Sequence, residues 1–166
     1  MCGLAGFFNP GGVHADTART TAAAMAGEIC HRGPDDEGVW IDETAGIALS
    51  HRRLSIVDLS PLGHQPMTSK TGRYVLAFNG EIYNYVGLAA ELKDRDHAFR
   101  GHSDTEVLLA AVEEWGLTGA IRRANGMFAI ALWDRQERPF TSAVTAPVRS
   151  RCTMAGRGKP FCSDRS

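Results

Sequence analysis

Cys2 is the residue of this chain whose chemistry needs no partner elsewhere in the sequence. A small residue after Met1 lets aminopeptidase remove the methionine, leaving a thiol and a free α-amine on one residue. With ordinary pKa values of about 8.5 for the thiol and about 7.7–8.0 for the amine, the amine can take the thiol's proton near neutral pH. Nucleophile and base then sit on the same residue. Nothing marks a His–Asn or His–Asp pair of the kind a Cys/His protease uses. The other thiols, Cys30, Cys152 and Cys162, and the six histidines show neither Cys-x-x-Cys nor His-Glu-x-x-His spacing. Neither a disulfide framework nor a zinc site is therefore expected, and no metal is assigned. Gly11-Gly12 lacks the following Lys-Ser/Thr of a phosphate loop and reads as a turn.

The elements that would have to position Cys2 follow from hydropathy and turn residues. An Asp16-capped helix is expected to run to about Glu28, ending at the turn formers and charges of His31-Arg32-Gly33-Pro34-Asp35-Asp36. Short strands are expected at residues 39–41, 46–50 and 54–57, then an irregular connection over 59–67 with two prolines and a glycine. Residues 74–78 read as a strand running into Asn79-Gly80, a dipeptide that tolerates positive φ and signals a hairpin turn. Asn84 reads as the cap of a helix over 86–93. Ser103-Asp104-Thr105-Glu106 has the capping-box pattern, followed by Val107, Leu108, Ala111, Val112 and Trp115 on one helical face. Residues 127–133 make a last buried strand, and hairpin-length links favour antiparallel pairing.

At 166 residues the chain has the length of one domain with at most a tail. Hydrophobic residues at 43% and charged residues at 22% exclude a disordered, collagen-like or coiled-coil chain. The longest apolar run, residues 128–133, is far short of a membrane span, and the first residues lack the basic and apolar regions of a secretory signal. A soluble, cytoplasmic protein is expected. Net charge −1 gives no reason to expect nucleic acid or a membrane as partner. The charge is uneven, however: residues 1–138 carry a net −5 and residues 139–166 a net +4. The second stretch has seven Ser/Thr, three Pro and no period, so a domain over 2–138 and a disordered tail over 139–166 are expected.

Met1-Cys2-Gly3-Leu4-Ala5-Gly6 resembles the start of class II glutamine amidotransferase domains. Four further motifs follow in that family's order. They are the His31–Asp36 motif already quoted, Arg53-Leu54-Ser55-Ile56-Val57-Asp58, Phe78-Asn79-Gly80-Glu81-Ile82-Tyr83-Asn84 and Gly101-His102-Ser103-Asp104-Thr105-Glu106. Together they look most like the glutaminase domain of glutamine-hydrolysing asparagine synthetases, over residues 2 to 138. The resemblance implies an α+β N-terminal-nucleophile hydrolase, a four-layer αββα sandwich with antiparallel sheets. It implies that Cys2 attacks the glutamine side-chain amide, forms a thioester and releases ammonia, with Asn79 and Gly80 as the oxyanion hole. It places glutamine against Arg53, Ile56, Val57, Asn79, Glu81 and Asp104. Arg53 would hold the α-carboxylate and Asp104, with Glu81, the α-ammonium.

Taken singly, Asn79-Gly80 reads as a turn, Asp104 as a helix-dipole carboxylate, Arg53 as a surface charge, and Arg32 and Asp35 as a solvated loop. An inactive remnant and the amidotransferase domain of another ammonia-using enzyme therefore stay open. The His31–Asp36 and Arg53–Asp58 motifs favour the asparagine synthetases over other branches. The family's ligase domain, with its ATP and Mg²⁺ sites, is not in this sequence. No cofactor is expected on the chain, and a separate ligase subunit would have to use the ammonia. Past Trp133-Asp134-Arg135 the family's pattern stops, which, with the charge reversal, predicts a frameshifted or otherwise altered translation over 139–166 with an early stop, a truncated chain and a sandwich incomplete at its C-terminus. Resequencing the gene checks this: a shifted reading frame after residue 138 is expected, and an in-frame 139–166 with no ligase coding sequence downstream contradicts it.

Overall fold

A computed structural model describes residues 2–56, 58–137 and 140–144. In chain order the elements are β1 (Gly3–Phe8), α1 (Ala15–Glu28), β2 (Asp36–Asp42), β3 (Ile47–Arg53), β4 (Met67–Thr68), β5 (Tyr74–Ile82), α2 (Tyr85–Lys93), α3 (Asp104–Arg123), β6 (Gly126–Asp134) and β7 (Phe140–Val144). They form two antiparallel sheets, one in the order β1-β3-β2 and one in the order β4-β5-β6-β7.

Strand periodicity accounts for the layers, because alternate side chains leave opposite faces. From β3, Ile47 and Leu49 meet Val75 and Ala77 of β5 and Ala131 and Trp133 of β6, which makes the core between the sheets. The intervening Ala48 packs with Ala18 and Ala22 of α1, where small side chains let the helix lie close to the sheet. On the other side, Leu76 and Phe78 of β5 and Phe128, Ile130 and Leu132 of β6 pack under Leu88 and Leu92 of α2 and Leu108 and Val112 of α3. The resulting order is helix, sheet, sheet, helices. The β5–β6 pair is apolar on both faces, and Arg73 closes one end of it with a bidentate grip on Asp134 (Nη2–Oδ2 2.6 Å).

Several expectations need correction. Asn79-Gly80 is not a turn: β5 continues to Ile82, with Asn79 opposite Ala129 and Gly80 opposite Phe128. Nine residues of register with β6 override the local turn preference. A Cβ at Gly80 would overlap Met127 O and Phe128 Cα, so glycine is there for close backbone approach. Residues 54–56 are loop rather than strand. Their N–H groups go to side chains, Leu54 N to Cys2 Sγ and Ser55 N to Asp35 Oδ2 (2.8 Å). The helix after Asn84 starts as expected, but the Asn84 amide caps nothing. It instead accepts from Asn125 N (2.8 Å) and donates to Arg123 O (2.9 Å), which pins the entry to β6.

The capping box is half realised. Ser103 Oγ accepts from Glu106 N, while Glu106 accepts from Arg100 N and Gly101 N (both 2.9 Å). Helix α3 breaks at Gly116, whose φ of 69° only glycine adopts freely. β1 gave no sequence signal. Phe140–Val144, inside the stretch that the composition sets apart, pairs with β6 as the edge strand of the second sheet. Residues 145–166, and with them Cys152 and Cys162, lie outside the described residues.

Trp133 is buried between the sheets, its ring 6.1 Å from that of Phe8. Trp133→Ala is expected to lower stability by roughly 3–5 kcal/mol in urea unfolding. A loss below about 1 kcal/mol would mean the inter-sheet core is not packed as described.

Candidate active site

The alternation that builds the inter-sheet core also assembles a polar cluster at one end of it. Continuing the inward-facing rows, β3 presents His51 and Arg53 after Ile47 and Leu49, and β5 presents Asn79 after Val75 and Ala77. Cys2 precedes Leu4 in the same row of β1, and Gly3 pairs with Arg52, so Cys2 lies beside the end of β3. Its Sγ accepts from Leu54 N at 3.3 Å and lies 3.6 Å from Leu54 O.

Arg53 is 7% exposed and donates to two carbonyls of the loop that follows it, Ser60 O (2.9 Å, from Nη1) and Asp58 O (from Nη2). Gly63 leaves room for the guanidinium, which a Cβ there would overlap. Among the described residues Arg53 belongs to no ion pair. Asp58 holds the loop in place. Its Oδ1 accepts from Ser60 N (2.8 Å) and its Oδ2 from His102 N (3.1 Å), two residues before Asp104. The hydrogen bond from the Ser60 hydroxyl, ahead of the one from His102, keeps this carboxyl below its ordinary range.

Asp104 opens α3, is 6% exposed and accepts from Ile82 N at 3.0 Å. Burial raises its carboxyl above the ordinary value, and the nearby negative Glu81 adds to the rise. No described cation is paired with it. The cluster thus holds a buried guanidinium with no carboxylate in ion-pair contact, only the nearby charge of Asp58, and a buried carboxylate without a cation, at the ends of elements tied together through Asp58. Such charges carry a large desolvation penalty unless something pairs them. A zwitterion such as an α-amino acid is complementary to both.

The free edge of β5 supplies the donors. Phe78 N donates to Gln65 Oε1 (2.6 Å) and Ile82 N to Asp104 Oδ2, both away from β6, whereas Tyr83 N donates to Asn125 O on the β6 side (2.7 Å). By strand parity the Gly80 N–H also leaves β6, between those two, and no described group accepts it. The Asn79 amide, 4% exposed, likewise has no hydrogen-bond partner among the described residues. Of the other expected site residues, Ile56 is 73% exposed, Glu81 is exposed on the strand, and Val57 lies outside the described residues.

Two buried residues here carried no sequence signal for the site. His51 lies on β3 with its Nε2–H donating to Phe78 O (2.9 Å). Burial pushes its pKa down to about 4, so the ring is neutral and Nδ1 stays bare. Gln65, in the irregular connection, bridges Phe78 N and Thr105 Oγ1 (3.3 Å).

The profile of the glutamine amidotransferase domain family matches residues 1–144. The chain belongs to this family. It is 43% identical over 138 residues to the Bacillus subtilis protein named asparagine synthetase [glutamine-hydrolyzing] 2, covering 82% of this chain and 18% of that one. It is 40% identical over 142 residues to Escherichia coli asparagine synthetase B [glutamine-hydrolyzing] (84% and 24%). It is also 36% identical over 151 residues to the amidase chry2 of Gibberella zeae (86% and 22%). The chain therefore spans less than a quarter of the length of each of these relatives. Among solved structures, a B. subtilis glutamine phosphoribosylpyrophosphate amidotransferase aligns with TM-score 0.46 and 22% identity, covering 54% of this chain and 21% of that one. Among the described residues no helix of this amidotransferase domain is long and apolar enough to cross a membrane.

The neutral His51 sets a pH dependence. Between its free value of 6.5 and about 4 the unfolded chain holds a proton there that the folded chain does not. Stability is therefore greatest above pH 6.5 and is lost as pH falls through that window, by about 3 kcal/mol in all. Urea unfolding of the wild type and His51→Gln from pH 7 to 4 checks this: the wild-type curve is expected to fall more steeply. Parallel curves would mean that His51 is not buried and neutral.

Proposed function

We propose that the chain is the glutaminase part of an asparagine synthetase-type enzyme, hydrolysing glutamine to glutamate and ammonia through Cys2. The observation that carries the reading is the pair of buried charges, Arg53 and Asp104, each without an ion-pair partner among the described residues, at the end of the inter-sheet core where the Cys2 thiol meets Leu54. Arg53 takes the α-carboxylate of glutamine and Asp104, with Glu81 near it, the α-ammonium. The side-chain amide then reaches Cys2, and Ile56 and Val57 complete the contacts to glutamine.

Once Met1 is removed, the Cys2 amine accepts the thiol proton and Sγ bonds to the amide carbon. The carbonyl oxygen becomes an oxyanion held by the Asn79 amide and the Gly80 N–H. The C–N bond breaks as the proton passes to the departing nitrogen, leaving a thioester and ammonia. Water attacks the thioester, the thiolate leaves, and glutamate is released. The sequence of steps calls for no metal or cofactor on this chain. The nucleophile must stay a reduced thiol, which agrees with a cytoplasmic location. Nitrogen transfer to an acceptor belongs to a ligase unit outside these residues, in keeping with the name asparagine synthetase that the longer relatives carry, and a separate ligase subunit would supply it.

Ammonia release from glutamine is expected of the purified chain. Cys2→Ala is expected to abolish it, and Asn79→Ala to lower kcat by about 10²–10³ with little change in KM. Arg53→Met is expected to raise KM by roughly 100-fold, the effect of removing a charged hydrogen-bond donor of about 1.5–3 kcal/mol. Undiminished release by Cys2→Ala, or no release by the wild type, contradicts the reading.

A further inference from the structure

β4 pairs with β5 only at Leu76 and Val75, so beyond Leu76 no strand among the described residues covers that edge of β5. Buried side chains cover it instead. At Phe78 the edge N–H goes to Gln65 Oε1 (2.6 Å) and the edge carbonyl accepts from His51 Nε2 (2.9 Å). At Ile82 the edge N–H goes to Asp104. Gln65 and His51 are 5% and 1% exposed. Gln65 also donates to Thr105 Oγ1, next to Asp104, and its own backbone lies against Gly38 of β2, where a Cβ would overlap Gln65 O. His51 reaches across from the other sheet. The neutral ring has one N–H, and the carbonyl fixes it on Nε2. Between the two stitched positions only Gly80 points an N–H outward with no acceptor among the described residues.

We propose that Gln65 and His51 are positioning residues of the oxyanion hole: by taking both edge groups of Phe78 they stand in for a missing strand and fix the rotation of β5 that aims the Asn79 amide and the Gly80 N–H. The proposal rests on the reading of those two groups as the donors to the reacting carbonyl. Donors act only if held in place before charge develops, and a misplacement of about 1 Å costs on the order of 10²-fold in rate. Gln65→Met keeps the volume but removes the acceptor for Phe78 N–H. His51→Leu removes the donor to Phe78 O, and His51→Gln puts an amide N–H back at a similar reach.

The test uses the full chain and three readouts. Glutamine hydrolysis is expected to lose roughly 10- to 100-fold in kcat in Gln65→Met and His51→Leu, with KM changed less than about threefold and most of the rate restored in His51→Gln. Alkylation of Cys2 by iodoacetamide passes through no oxyanion, so its rate is expected to be unchanged in all three. Amide exchange at Phe78 is expected to speed at least about tenfold in Gln65→Met. Hydrolysis and alkylation falling together, as in a general loss of folding, would overturn the proposal. So would unchanged kcat, or Phe78 exchange that Gln65→Met leaves unaltered. If the wild type hydrolyses no glutamine, the functional reading falls and the role in catalysis with it, while exchange at Phe78 still reports whether Gln65 holds the edge.

Discussion

The antiparallel register of β5 on β6 is the constraint on which the rest of the molecule depends. The pair is covered on both faces, by the other sheet below and by α2 and α3 above. Because the side-chain period is two, a slip by one residue would turn Val75 and Ala77 toward the helices and Leu76 and Phe78 toward the other sheet. It would also turn Asn79 from the other sheet toward the helices and exchange the N–H directions of Gly80 and Glu81. Core packing and the geometry of the site are therefore set by one and the same register. That gives the fold a physical reason to keep Gly80, where any side chain would push the two strands apart.

The site itself is built against stability. Arg53 and Asp104 are buried and hydrogen-bonded but have no ion-pair partner of opposite charge among the described residues, and the Asn79 amide has no hydrogen-bond partner among them. Interiors normally pair buried charges, because an unpaired one carries a desolvation penalty. Secondary contacts keep them from relaxing onto one another. The loop carbonyls of Asp58 and Ser60 hold Arg53, and the Asp58 carboxylate in turn holds Ser60 N and His102 N. On the function proposed, an α-amino acid would pair both buried charges at once, whereas a simple amide would pair neither.

Much of this was legible in the sequence, and what was not has identifiable causes. The helices α1 and α3 and the apolar strands β2, β3, β5 and β6 follow from periodicity, because each buries a face large enough to leave a pattern, although α1 starts from His14 with Asp16 inside its first turn and not as its cap. β1 leaves none, since its bulky residues are only Leu4, Phe7 and Phe8, while Gly3 and Gly6 are kept small by Ile29 and the Ala48 carbonyl. Asn79-Gly80 reads as a turn because local preference carries no information about a partner strand 50 residues away. Residues 54–57 read as a strand from their apolar content, but the thiol of Cys2 and the carboxylate of Asp35 take the N–H groups a neighbouring strand would have used. Cys2, Arg53 and Asp104 could be singled out from residue type and motif order. His51 and Gln65 could not, because a histidine facing a backbone carbonyl and a glutamine in an irregular loop have no distinguishing spacing. Only the tertiary structure shows that both meet at Phe78.

The measurement that tests the central claim most directly is an intact mass spectrum of the purified chain, before and after treatment with a glutamine-like electrophile, with and without excess glutamine. The account predicts loss of Met1 and a single adduct on Cys2 that glutamine suppresses, since nucleophile and zwitterion pocket must then coexist in one folded site. Retention of Met1, or an adduct on Cys2 that glutamine does not suppress, would show that thiol and pocket do not form one site.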